Sequence, residues 1–201
     1  CDASTGRTIE ITNPATGKAI GTVPDMSAED TRRAIEAADA AFRNWRRVPN
    51  AERAAKLERW FPLMETQADD LALLLPHDPG KPLAEAKGEI TYGASFVKWF
   101  AEEARRIEGG IIPSPTSDRK ILALKEPVGV SAIITPWNFP LNMASRKIGP
   151  ALAAGNTVVL KSPEVAPFAM MKLAELCEVM EVHPLTLLTL AYAGDDLQQV
   201  D

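Results

Sequence analysis

Four side chains between positions 138 and 164 combine a type and a spacing that suit chemistry: Asn138, Arg146, Lys161 and Glu164. Asn138 follows Thr135-Pro136-Trp137, a turn stiffened by its proline and its indole, so the amide has little conformational freedom. A fixed neutral donor is what a developing oxyanion requires, because the dipole is oriented before charge appears. The plainer alternative is that Asn138 caps a helix starting at Phe139 or Pro140. Lys161 and Glu164 lie three apart after a second apolar run. Together they can bind the vicinal hydroxyls of a ribose, the acid accepting from both. Otherwise Lys161 is surface charge and Glu164 favours the dipole of the next helix. Arg146 lies two turns and a little more beyond Asn138, suited either to grip a carboxylate bidentately or to sit exposed on a helix.

Positioning these groups takes a strand, a helix and a strand. Val128 to Ile134 is a short, β-branched apolar run that predicts a buried strand. Leu141 to Ala154 predicts a helix, closed by Gly155 at a left-handed cap. Asn156 to Leu160 predicts a second buried strand. Such a βαβ unit has parallel strands, and ligands bind beyond their carboxyl ends, where both polar clusters fall.

The flanking sequence predicts a wider α/β frame. Thr8–Thr12 and Ala19–Val23, separated by Asn13-Pro14-Ala15-Thr16-Gly17, read as a hairpin. Ser27 caps a helix whose first turn holds Glu29 and Asp30 and whose stripe is Ala34, Ile35, Ala38, Ala41 and Phe42. A second helix follows Asn50, with Ala54, Leu57, Trp60, Phe61 and Met64 on one stripe and Pro62 kinking or ending it. A third covers Ala68 to Leu75, stopping near Pro76. A fourth runs from Leu83 to about Ile107, ended by Gly109-Gly110, with Ile90, Ala94, Val97 and Ala101 on one face. Ile111 to Glu126 reads as a hairpin that either projects to pair with another chain or lies free on the surface. A helix is expected over Ala166–Met180, with Cys177 in its apolar face, and a third strand over His183–Tyr192.

Bulk properties exclude several functions. A net charge of −5 with interspersed signs argues against a nucleic-acid surface. No apolar run reaches the roughly 18 residues of a membrane span. Two cysteines 176 positions apart form neither a disulfide framework nor a metal cluster, and point to a cytoplasmic or organelle-matrix compartment. His77 and His183 lack the spacing of a metal site, so no metal is expected. No Gly-x-Gly-x-x-Gly follows any strand. The start at Cys1-Asp2-Ala3 has neither an initiator Met nor a signal-peptide pattern and reads as a cut or incompletely recorded chain.

Taken in order and spacing, Thr135-Pro136-Trp137-Asn138-Phe139-Pro140, Gly149-Pro150-Ala151-Leu152-Ala153-Ala154-Gly155-Asn156 and Lys161-x-x-Glu164 resemble the aldehyde dehydrogenase superfamily. The resemblance extends from Asn13-Pro14-Ala15-Thr16-Gly17 through Gly80-Lys81-Pro82 to about Met180 and fades from Glu181 to Asp201. It implies a Rossmann-like, doubly wound parallel sheet, incomplete here. Residues 1–110 would be an amino-terminal hairpin and helices packed on it, 111–126 an oligomerisation hairpin, and 127–201 the first part of the cofactor domain. It implies that Asn138 is the oxyanion amide for thiohemiacetal and thioester steps. Ile134, Thr135, Pro136 and Trp137 would line the cofactor cleft, and Lys161 and Glu164 would hold the adenosine ribose.

Gly80 to Ile90 and Trp99 to Ile107 resemble succinate-semialdehyde dehydrogenases in particular, which carry Arg-Lys where many relatives have Trp-Lys. Arg146 is thereby implied to bind the substrate's distal carboxylate. Glu164 suits NAD over NADP, whose 2′-phosphate a carboxylate repels. A homodimer or homotetramer is implied. His77-Asp78-Pro79 and Ser162-Pro163 depart from the family pattern. Its nucleophilic cysteine, base glutamate and Gly-x-Thr-x-x-Gly turn are expected beyond residue 201. The expectation is NAD-dependent oxidation of succinate semialdehyde by the complete enzyme. The alternatives are another substrate such as lactaldehyde, or a non-catalytic homologue acting as a binding or assembly module.

Overall fold

The computed structural model describes residues 3–77, 81–179 and 185–189. The amino-terminal runs form the expected hairpin, β1 (Thr8–Thr12) antiparallel to β2 (Ala19–Pro24). Asn13 Oδ1 accepts from the amides of Ala15 and Thr16, which folds the intervening loop.

Helix α1 (Ala28–Trp45) opens on Ser27 as expected, with a reciprocal contact added: Ser27 Oγ accepts from the Asp30 amide at 3.2 Å and Asp30 Oδ2 from the Ser27 amide at 2.8 Å. Of its predicted stripe, Ala34 and Ala38 are buried, whereas Ile35 is 45% exposed, one position out of phase with the contact face. Helix α2 (Asn50–Thr66) neither ends nor breaks at Pro62. That proline faces solvent, so the Glu58 carbonyl it leaves without a donor is open to water. Helix α3 (Ala68–His77) runs two residues past its expected end, taking Pro76 into its last turn. Helix α4 (Leu83–Ala104) stops short of Ile107, where the Arg105 amide turns back to Glu102 O and the Arg105 guanidinium grips both oxygens of Glu58 on α2 at 2.8 and 2.9 Å. Ile90, Ala94, Val97 and Ala101 are all buried, the face the spacing predicts.

Within Ile111–Glu126 only two short strands form, β3 (Gly110–Ile112) and β4 (Ile121–Ala123), antiparallel and exposed throughout. The main sheet is parallel in the order β5 (Val130–Ile134), β6 (Thr157–Ser162), β7 (Leu185–Thr189), with α5 (Pro140–Ala153) crossing between the first two. Residues 183, 184 and 190–192 of the expected third strand lie outside the described residues. β5 starts two residues late because Gly129 adopts φ 136 and the amides of Val128 and Gly129 both donate to Asn156 Oδ1. Nor is β5 a fully buried strand. It forms the edge of the sheet among the described residues, and only Ile133 is buried in it. β6 is the interior strand and extends to Ser162. Gly155, after the last turn of α5, has φ 87, the left-handed conformation anticipated for it.

Both faces of the sheet are covered. Ile133, Val158 and Leu160 join the main core with Leu57, Trp60, Ile148, Leu152 and Leu173, while Val159 packs oppositely against Met26, Ala34 and Ala38. Helix α6 (Phe168–Val179) buries Met170, Leu173 and Cys177, confirming Cys177 as a core residue. It starts two residues later than expected, and Met180 lies outside the described residues. This is the α/β frame of a doubly wound sheet, with helices packed on both faces.

Candidate functional site

β5 and β6 end side by side, with Ile134 opposite Lys161 in register. The two strands therefore deliver their polar turns to one edge. Thr135 is 4% exposed, and the single proton of its hydroxyl is shared between Lys161 O and Met170 Sδ, both at 3.4 Å, linking the strand ends from inside. Its expected companions along the cleft, Ile134, Pro136 and Trp137, are exposed, Ile134 to 70%. Lys147, in the second turn of α5, folds back to donate to Ile134 O at 3.2 Å.

Asn138 lies just before α5, and its role at the helix start differs from a side-chain cap: Phe139 is the N-cap residue and makes no such bond. Instead Asn138 Oδ1 accepts from the Phe139 amide at 3.1 Å. Since a backbone N–H demands an acceptor, this contact fixes which end of the amide is oxygen. The NH2 end is left exposed, with no partner among the described residues.

Lys161 and Glu164 are brought together as an ion pair at the end of β6. Glu164 lies in the turn before α6 rather than in its first turn. The pair offers an acceptor carboxylate and a donor ammonium at the strand end, with exposed Ile134 in register with Lys161 and exposed Val165 next to Glu164, a donor and acceptor set of the kind vicinal hydroxyls require. Arg146 is exposed on α5, its guanidinium 5.2 Å from the centroid of Phe96 on α4. Phe96 in turn meets Tyr92 in a tilted contact, the ring centroids 4.9 Å apart. Arg146 is thus set against Phe96 on α4, and among the described residues no hydrogen bond or ion pair joins it to the Asn138 turn.

Two residues that motif reading passed over complete the setting. Glu89 and Lys81 form an ion pair with side chains 0% and 8% exposed. Lys81 Nζ also donates to Asn138 O at 2.8 Å and lies 3.8 Å from the Phe139 ring centroid. Glu89 Oε1 accepts the Asn142 amide in the first turn of α5 at 3.1 Å. The signal was available: Glu89 is a carboxylate on the same stripe as Ala86, Ile90, Gly93 and Val97, where burial demands a partner.

Comparison with known proteins agrees with this geometry. The family model described as "Aldehyde dehydrogenase family" matches residues 1–199, including most of the stretch after Glu181 where the motifs fade. The chain is 58% identical over 175 residues to a glutarate-semialdehyde dehydrogenase of Pseudomonas putida, covering 87% of this chain and 36% of the relative. It is 54% identical over 175 residues to the NADP(+) succinate-semialdehyde dehydrogenase of Escherichia coli, again covering 87% and 36%. A crystal structure of an E. coli NADP-dependent enzyme superposes with a TM-score of 0.94 at 49% identity, covering 96% of this chain and 40% of that one. The chain thus spans about a third of the length of these relatives. Over that span the family model, the curated relatives and the solved structure agree, and this chain belongs to the aldehyde dehydrogenase family.

Proposed function

We propose that this chain supplies the cofactor-binding and oxyanion-stabilising half of a nicotinamide-dependent dehydrogenase that oxidises an aldehyde bearing a distal carboxylate, succinate semialdehyde in the leading reading. The observation that carries it is the state of Asn138: its oxygen is engaged by its own chain while its NH2 group, on an exposed residue, has no partner among the described residues. Such a donor stabilises the oxygen of an aldehyde carbon as a cysteine thiolate adds to it, and again as water adds to the resulting thioester, displacing the thiolate and releasing the acid. The thiolate and the base belong, in this reading, to sequence outside these 201 residues. When bound, the nicotinamide supplies the hydride acceptor. Lys161 and Glu164 would hold its adenosine ribose, and the Glu164 carboxylate favours NAD over NADP. Arg146 would bind the substrate's carboxylate.

A second substrate, glutarate semialdehyde, is favoured by the 58% identity to a dehydrogenase named for it. Both substrates present the same anion to Arg146, one carbon apart.

The test is NADH formation by the complete protein carrying this chain, offered succinate semialdehyde, glutarate semialdehyde and acetaldehyde. The expected result is turnover with the two acids preferred, and loss of kcat by about 10²- to 10³-fold in Asn138→Ala, the usual effect of removing one oxyanion donor. No turnover on any aldehyde would overturn the reading in favour of a binding module.

A further inference from the structure

We propose that Glu89 and Lys81 are positioning residues for Asn138, a buried clamp that sets where its amide points; this rests on the oxyanion reading of Asn138. The connection is continuous. The Asn142 amide donates to Glu89 Oε1 at 3.1 Å, Glu89 Oε2 pairs with Lys81 Nζ, and Lys81 Nζ donates to Asn138 O at 2.8 Å. Asn138 is therefore held twice, through its backbone oxygen by Lys81 and through Oδ1 by the Phe139 amide, which leaves the NH2 end of its side chain uncommitted among the described residues.

Each contact has a physical reason to be stiff. The N-cap residue Phe139 supplies no side-chain acceptor to α5, so Glu89 provides one from α4, its charge aligned with the positive end of the α5 dipole. Desolvation forbids either partner to swing free, because a buried charge without its counterion is far costlier than the pair. The Phe139 ring beneath Lys81 Nζ, 3.8 Å from its centroid, closes the remaining direction. The turn bearing Asn138 is thereby tied to α4 and to the start of α5 at once.

The variant is K81M/E89Q, which removes both charges at nearly constant volume and so avoids a lone buried ion. In the complete protein, kcat should fall about 10- to 100-fold, the scale of a displaced catalytic group, on anionic and uncharged aldehydes alike. KM for NAD should stay within about threefold, because Lys161 and Glu164 are untouched. In the N138A background the same double substitution should cost no further kcat, as expected if it acts through Asn138. An additive loss there, or an unchanged kcat in the wild-type background, would overturn the clamp. Amide hydrogen exchange at residues 138, 139, 141 and 142 gives an answer independent of turnover: it should quicken at least about 10-fold in K81M/E89Q while α2 stays protected. Unchanged exchange also overturns the proposal. Should the wild-type protein oxidise no aldehyde, the functional reading fails alone, and exchange still decides the clamp.

Discussion

Glu89 and Arg53 hold opposite ends of α5: Glu89 accepts the Asn142 amide in its first turn, and Arg53 Nε donates to Ala153 O in its last at 2.9 Å. An acid at the amino end and a base at the carboxyl end both oppose the helix dipole, and Trp45 Nε1 adds a donor to Leu152 O at 3.2 Å. Helix α5 carries Arg146 and Lys147 and begins two residues after Asn138, so its two anchors fix the frame in which those groups act.

Arg53 also donates to Val48 O and Asn50 Oδ1, and burial lowers its pKa from the ordinary arginine value. Its substitution by Met leaves three acceptors unpaired near the end of the helix. The expected loss is about 2–3 kcal/mol, read as a lower urea midpoint at unchanged slope. An unchanged midpoint would mean that water replaces the guanidinium without penalty.

α4 and α5 approach closely at Gly93, and that closeness brings Glu89 within reach of α5. A Cβ on Gly93 would lie 2.8 Å from Leu141 Cδ2 and 3.0 Å from Ser145 Oγ, with the Asn142 backbone at 3.4 Å behind them, so Gly93→Ala must displace the buried Leu141 side chain or part the helices. It should destabilise by about 1–3 kcal/mol, net of better helix propensity. Gly88, on the same helix, would meet nothing within 4 Å, so Gly88→Ala should stabilise by about 0.5–1 kcal/mol. Thermal unfolding of the two variants should therefore move in opposite directions.

What could be read in the sequence was local. The turn chemistry of Asn13 to Gly17, the cap at Ser27 and the stripe Ile90, Ala94, Val97, Ala101 depend on residues within a few turns of one another, and all recur in the structure. Asn138 and Lys161 were placed at strand ends because period and topology alone put them there. Partnerships across the fold were not legible. Arg53 meets a carbonyl 100 positions away and leaves no periodic trace, whereas Glu89 leaves one on the buried stripe of α4 but nothing periodic points to its partner Lys81, which precedes the helix. Pro62 and Ile35 were misjudged for a related reason: which way a helix faces is settled by its neighbours.

The α1 capping box makes folding acid-sensitive. The Ser27 amide, with the Ser27 hydroxyl, the Ser4 amide and Arg33 adding to it, holds the Asp30 carboxyl well below the usual carboxylate range. A carboxyl depressed in the folded state contributes stability above its unfolded value, near 3.9, and loses it as pH falls below that value. Asp30→Asn should therefore lower the melting temperature at pH 7, with the difference from wild type shrinking towards pH 3. A difference constant across that range would sink the assignment. Ser27→Ala, which removes the other half of the box, should cost about 1 kcal/mol at neutral pH.

Arg146 and Phe96 give a test of substrate choice separate from Asn138. If Arg146 binds the distal carboxylate, Arg146→Ala should reduce kcat/KM for semialdehyde acids about 10- to 100-fold and leave acetaldehyde nearly unchanged. Phe96→Leu, which removes the ring 5.2 Å from the guanidinium, should show the same preference at about two- to fivefold. Equal losses on acids and acetaldehyde would take Arg146 out of the substrate site.

The β3–β4 hairpin supplies the remaining prediction. Ile111 and Leu122 are register partners, so their side chains share one face, and they are 76% and 66% exposed, with Leu124 beyond them at 77%. Two three-residue strands bury too little to justify that apolar surface alone, whereas pairing with a second copy of the hairpin region would cover it and its open edges. Leu122→Glu places a charge at the centre of the face. Light scattering on the complete protein should then show the mass falling from that of a dimer or tetramer to a smaller species, with circular dichroism unchanged. A wild-type monomer, or an oligomer indifferent to the substitution, would place the contact elsewhere.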